Sequence, residues 1–161
     1  MRPLDETDCG LIRLLQHNAR MSNKEIAASL SVAPSTALER TRRLEAEGTL
    51  AGYHASVDPS RVGVGIQALV TVRLRRHARD VVESFFAHAR ALSEVVQVFH
   101  TTGASDALVH VAVRDTDHLR ELALAAFTER PEVARIETAL LFAHHAGDGL
   151  PIYSGESGHS R

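Results

Sequence analysis

Apolar residues recur in two rhythms along this chain, and the change falls near residue 53. Before it they return every three or four residues, the spacing of helices with one buried stripe; after it, stretches of period two interleave with helical ones. Asp5, with Asp8 three residues on, forms a capping-box-like pair and predicts a first helix that runs to near Asn18. That helix buries Leu11, Ile12, Leu14 and Leu15. Ser22-Asn23-Lys24-Glu25 is a capping box opening a second helix, which buries Ile26, Ala27 and Leu30. Ser31-Val32-Ala33 breaks it, and Pro34 sits where a first helical turn tolerates proline. A third helix then runs to Glu47, with Gly48 as its C′ residue. Two short helices across a turn of about three residues, behind a supporting helix, form a helix-turn-helix pattern.

The second half reads as βαββαβ. Over residues 66–75, Ile66, Ala68, Val70, Val72 and Leu74 point one way, and Gln67, Thr71, Arg73 and Arg75 the other. Asp80 to Leu92 is an amphipathic helix with Val81, Val82, Phe85, Phe86 and Ala89 inward. Strands at 94–102 and Asp106–Arg114 are joined by the hairpin residues Thr102-Gly103-Ala104-Ser105. Leu119, Leu122, Ala123, Ala126 and Phe127 stripe a second helix that Pro131 closes, and a last strand runs from Val133 to Phe142. Together the halves predict an α+β chain. The sheet carries both helices on one face and leaves the other for a partner subunit to cover. After Ala146 the chain turns Gly-, Ser- and Asp-rich, and residues 155–161 are expected to be disordered.

Charge narrows how such a chain would meet DNA. Net charge is −2, and residues 1–60 hold 7 Lys and Arg against 8 Asp and Glu. Affinity for double-stranded DNA must therefore come from a local cluster and from dimerisation. The third helix supplies the cluster. Ala37, Thr41 and Leu44 form its apolar stripe, with Leu38 at the edge, and Ser35, Thr36, Glu39, Arg40, Arg42 and Arg43 occupy the other side. Arginine forks onto guanine or phosphate and hydroxyls reach bases or backbone, so this face suits a major groove. It also suits a solvated face with ion pairs such as Arg43 with Glu47 or Glu39 with Arg43. The capped helix and tight turn before it favour DNA.

Other classes recede. No apolar stretch approaches the roughly 18 residues a membrane span needs, and the start from Met1 to Glu6 is too acidic for a signal peptide. The one cysteine, Cys9, sits among helical apolar positions, which assigns it to packing in a reducing cytoplasm. No nucleophile motif or sequence-local carboxylate pair points to an enzyme, and nothing asks for a cofactor. Gly63-Val64-Gly65 opens no helix, so it is no dinucleotide loop. Ten histidines raise a metal- or pH-responsive alternative. His144 and His145 are adjacent and diverge on a strand; His88, His100, His110 and His118 lack ligand spacing, although His100 and His110 are placed to share a strand face. No metal ligands are assigned. A regulatory subunit of a metabolic enzyme is the remaining alternative, and the helix-turn-helix argues against it.

LDETD at the start, RTRRLEAEGTLAGY through the third helix and its exit, and DPSRVG before the first strand resemble the leucine-responsive/asparagine (Lrp/AsnC) regulators, over the chain to about residue 152. The resemblance implies a helix-turn-helix (winged-helix-like) DNA-binding domain at residues 1–52 and a linker strand or hinge at 53–64, its strand near Tyr53–Val57. It implies a ferredoxin-like dimerisation and effector-sensing domain at 65–146, and leaves 147–161 as a tail. It further implies a cytoplasmic homodimer that assembles further, typically to an octamer, and responds to an amino acid. The family's Gly-x-x-Asp effector loop reads Gly103-Ala104-Ser105-Asp106 here, with Thr101 and Thr138 as added hydroxyl contacts. A glycine admits ligand close to the backbone and a carboxylate pairs with an α-ammonium group; ordinary turn chemistry, with Asp106 capping its own hairpin, is the other reading. Three positions depart from the family pattern. Ala33 replaces a capping Ser, for which Ser35 is placed to compensate; Glu39 replaces a basic residue; and Ala107 replaces an aromatic beside the loop.

Overall fold

The computed structural model describes residues 2–145, 147 and 149–153. They divide into two compact units: one runs to Ser56 and resumes at His145, and the other is Val57–His144.

In the first unit, α1 (Glu6–His17) opens with a reciprocal box: the Asp8 backbone N–H donates to the Asp5 carboxylate at 2.9 Å, and the Asp5 N–H donates to Asp8 at 3.2 Å. Ser22 and Glu25 do the same for α2 (Asn23–Leu30). α2 ends at Ser31 in the left-handed region (φ 55°), a conformation costing a residue with a Cβ about 1 kcal/mol. Pro34 then opens α3 (Pro34–Ala46). The stripes converge on one cluster of Leu11, Ile12, Leu15, Ile26, Ala27, Ala37 and Leu44, with Leu14 and Leu30 half-buried at its margin. Thr41 is tolerated there because its hydroxyl donates to the Ala37 carbonyl at 2.9 Å.

The tail returns to this unit. Ile152 packs against the cluster, and the Gln16 amide brackets Leu150, donating to its carbonyl at 3.2 Å and accepting from its N–H at 2.5 Å. Residues 149–152 are thus held on α1, whereas composition suggested only a loose tail; the expected disorder of 155–161 lies outside the described residues. Among the described residues no strand forms at Tyr53–Val57 or elsewhere in this unit after α3. An extended segment becomes a strand only against another edge, and these residues of the unit offer none. Instead the Tyr53 hydroxyl donates to Glu45 on α3 at 2.8 Å. Burial and that carboxylate push the phenol up to about 12.

In the second unit, Asp58 caps a short 3₁₀ turn (Pro59–Val62), and the chain runs β1 (Ile66–Leu74), α4 (Arg79–Ala91), β2 (Val95–His100), β3 (Ala107–Val113), α5 (Thr116–Leu122), β4 (Val133–Leu140). α5 continues as a π-helical turn at Ala123–Thr128. The sheet is antiparallel in the order β2-β3-β1-β4, with Val70 opposite Val109 on one side and Thr138 on the other. This is the expected α+β arrangement. Alternation places Ala68, Val70, Val72 and Leu74 with Val109 and Val111 under Phe85, Ala89, Leu119 and Phe127. Phe85 and Phe127 meet at 6.3 Å between ring centres. The other face presents Leu69, Thr71 and Arg73 of β1 beside Leu108 and His110 of β3, and among the described residues no helix of this unit packs on it. Among the described residues no helix is long and apolar enough to cross a membrane.

The entry to β1 is the tightest backbone approach. Gly65 donates to the Val113 carbonyl at 3.0 Å, and a side chain there would collide with the neighbouring Arg114 carbonyl oxygen. We expect Gly65→Ala to destabilise the sheet unit by about 1–3 kcal/mol, read as a lower urea midpoint. An unchanged midpoint would show that the backbone yields freely there.

Candidate functional site

The orientation of α3 is set by charge. Asp8, wholly buried on α1, accepts from Arg40 Nη1 at 2.8 Å and Arg43 Nη2 at 2.6 Å, and Arg40 also donates to both oxygens of Asp5 at 2.7 and 2.6 Å. Burial by itself would raise the Asp8 carboxyl, but the donors from Arg40, the Asp5 backbone and Arg43 outweigh it and hold the group below its ordinary value. Asp5 is held at about 2, chiefly by Arg40.

This splits the six residues expected on one DNA-facing side. Ser35, Glu39 and Arg42 are exposed and Thr36 is half-buried, all without side-chain partners among the described residues. Arg40 and Arg43, expected beside them, turn back to α1, and Arg43 takes Asp8 rather than Glu39 or Glu47. Helical spacing cannot reveal this, because the acidic partners lie 32 to 35 residues away. Ala33 gives α3 no side-chain cap, and Ser35 does not compensate. The first α3 backbone N–H with an acceptor is that of Ala37, at 3.1 Å from Ala33, so the Ser35 and Thr36 amides stand open at an exposed helix start.

In the sheet unit, Gly103 at φ 103° makes the turn before β3, a conformation that suits glycine. The Thr101 hydroxyl donates to the Ser105 carbonyl at 2.9 Å, and Arg73 Nη1 donates to the Gly103 carbonyl at 2.9 Å. Asp106 does not cap its own hairpin with its side chain: it accepts from the Leu74 N–H and from His77 Nε2, both at 2.7 Å, with Arg73 Nε at 3.7 Å. Burial opposes ionisation, yet these donors lower its pKa. Beside the loop lies a cavity of about 250 Å³ lined by Thr71, Arg73, Ala104, Ser105, Arg135, Ile136 and Glu137.

Thr138 is not part of this cluster within one chain. It lies on β4, three strand spacings, or about 14 Å, from the β2 edge that Thr101 extends. Ala107 points into the core beside Val72, so its departure from an aromatic changes packing and not the cavity wall. His100 pairs with Ala107 and His110 with Gln97, which puts the two histidines on opposite faces, not the shared one expected. His110 is bonded to Gln67 at 2.9 Å; burial, then the nearby His144, lowers its pKa. Among the described residues no three His, Cys, Asp or Glu side chains gather as metal ligands.

A braced helix-turn-helix followed by a separate α+β unit with a small cavity beside its Gly103 loop defines a class, the helix-turn-helix transcriptional regulators with their own sensing domain. The AsnC-type helix-turn-helix profile matches residues 4–45, and the Lrp/AsnC ligand binding domain profile matches residues 67–148. The HTH-type transcriptional regulator AldR of Mycolicibacterium smegmatis is 37% identical over 91% of this chain and 85% of its own length. The leucine-responsive regulatory protein of Salmonella typhimurium is 33% identical over 75% of this chain and 74% of its own. A Neisseria meningitidis transcriptional regulator solved as an L-Met complex superposes with a TM-score of 0.83 at 30% identity, covering 92% of this chain and 96% of that one. The chain belongs to the Lrp/AsnC family of transcriptional regulators. It is a DNA-binding regulator with a ligand-binding domain, and not an enzyme.

The Asp8 network makes the DNA-binding unit acid-sensitive. Both carboxyls are held low in the folded state, so their stabilisation is present above about pH 4 and is lost as pH falls through the lowered values, about 2 for Asp5. Removing one partner of a buried pair costs about 3 kcal/mol or more. We expect Asp8→Ala to lower the melting temperature of this unit at pH 7 and to flatten its decline below about pH 4; a wild-type profile would show the network to be energetically silent.

Proposed function

We propose that this chain is a cytoplasmic one-component regulator that binds a pseudo-palindromic operator as a homodimer, and that dimers assemble further, up to an octamer. α3 enters the major groove through Ser35, Thr36, Glu39 and Arg42. The observation that carries this reading is the division of labour on α3: Arg40 and Arg43 brace the helix from behind, while Arg42 and the open amides at its start face outward. Arg42 reads a guanine edge or phosphate, the Ser35 and Thr36 amides take a phosphate, and Glu39 accepts from a cytosine amino group. The uncovered sheet face is where a second subunit packs. Replacing Arg42 by Ala is expected to weaken operator binding by about 1–3 kcal/mol and to leave the melting temperature unchanged. Fluorescence anisotropy with labelled operator measures it, and unaltered affinity would remove Arg42 from the interface.

The effector is an amino acid held at the Thr101, Gly103 and Asp106 loop, at a subunit interface. The L-Met complex of the Neisseria relative supports the ligand class. Arg73 and Arg135 in the cavity suit the α-carboxylate and Glu137 the α-ammonium group, while Asp106, outside that lining, holds the loop through Leu74 and His77. Thr138 joins only from a second subunit. In a thermal-shift screen of the twenty amino acids, a cognate ligand at about 100 times its Kd adds about 2.7 kcal/mol to the folded state. We expect one or a few to do so and Asp106→Ala to abolish the shift; twenty null results would remove amino acids as effectors.

A further inference from the structure

A second cavity in the sheet unit shares no lining residue with the one beside the Gly103 loop. It is an open cleft of about 520 Å³ between the end of β1, the first turns of α4 and the turn into β4. Its cationic groups are Arg75, Arg76 and Arg130, with Asp80, Ser84 and Glu132 among them and Val81 and Pro131 as apolar wall. That size falls within the roughly 300–1,000 Å³ of small-molecule sites.

Arginine pairing sets this cleft apart. Every other arginine of residues 57–144 has a carboxylate, carbonyl or imidazole partner, whereas Arg75 and Arg76 have none among the described residues. Arg130 is held by Glu132 through Nε at 2.6 Å and Nη2 at 2.5 Å, so those two charges cancel. Arg75 and Arg76 then face Asp80 alone, which leaves a surplus of positive charge. The frame is fixed: the Arg75 N–H donates to the Glu132 carbonyl at 2.8 Å, tying the end of β1 to the turn into β4. The π-helical turn just before Arg130 is a geometry that occurs often at functional sites. The Ser84 hydroxyl, one turn into α4, also has no partner among the described residues.

We propose that this cleft binds a small organic or inorganic anion, a carboxylate or a phosphate, through the Arg75 and Arg76 guanidiniums and the Ser84 hydroxyl, as a site separate from the amino-acid loop. Two forked donors give an oxyanion charge-assisted hydrogen bonds that a lone surface cation does not.

The test is isothermal titration of the full chain with 2-oxoglutarate, succinate and inorganic phosphate, on wild type and three variants. At least one of the three anions is expected to bind the wild type. Arg75→Gln with Arg76→Gln should weaken that binding at least about tenfold, and Ser84→Glu, which places a carboxylate in the cleft, should abolish it. Arg120→Gln removes one arginine charge from α5, outside the cleft, and should leave it unchanged. The responding probe separates the carboxylate from the phosphate reading. No binding by any probe, or equal loss in Arg120→Gln, overturns the site. So does a double variant that weakens operator binding but not anion binding, which would assign these arginines to the DNA backbone.

Discussion

The DNA-binding unit depends on one buried carboxylate. Asp8 is inaccessible to solvent and contributes to the α1 cap while holding two arginines of α3. Burying an anion is tolerable only because Arg40, Arg43 and the Asp5 backbone satisfy it together. A three-helix cluster built on seven small and medium side chains could slide; a charge that must be met at fixed points cannot. The apolar stripe of α3 decides which side faces inward, and the Asp8 network decides the rotation and height at which it sits. The pitch of Arg42 and Ser35 toward solvent follows from both.

The sheet unit solves a different problem. Its β1 and β3 residues alternate cleanly, so one face is closed by α4 and α5, while the other carries half-buried side chains such as Leu69 and Leu108. The hairpin and the end of β1 are locked to each other through Asp106, which bonds Leu74 and His77, and through Arg73, which bonds Gly103. A ligand entering beside Arg73 would therefore act on a segment already under several constraints, and small shifts would pass into the backbone of β1. Coupling of that kind needs a ligand whose affinity differs between two arrangements of the chain.

Much of this was legible in the residues. The boxes at Asp5–Asp8 and Ser22–Glu25, the stripe of Ala37, Thr41 and Leu44, and the βαββαβ order follow from local spacing, and the elements stand within a few residues of where periodicity puts them. What spacing missed is long-range. Arg40 and Arg43 look like DNA-facing cations until α1 is folded against them. Thr101 and Thr138 look like one site until strand order separates them, and His100 and His110 share a face only until the β2–β3 register is known. The unpaired state of Arg75 and Arg76 was equally hidden, since it depends on where every neighbouring acid goes. The docked tail carries no periodic signal at all, only Leu150 and Ile152 in a polar run.

That tail has a consequence for the order in which the protein comes into being. Ile152 and the backbone of Leu150 complete a cluster whose other members lie before residue 51, so the DNA-binding unit is discontinuous in sequence, with the whole sheet unit inserted within it. On the ribosome its helices emerge first, but its last packing partners emerge after β4. Chains fold vectorially during synthesis and local contacts form before distant ones. The unit that meets DNA therefore receives the last of its packing, Ile152 against its cluster and Leu150 against Gln16, only after the unit that senses has been made.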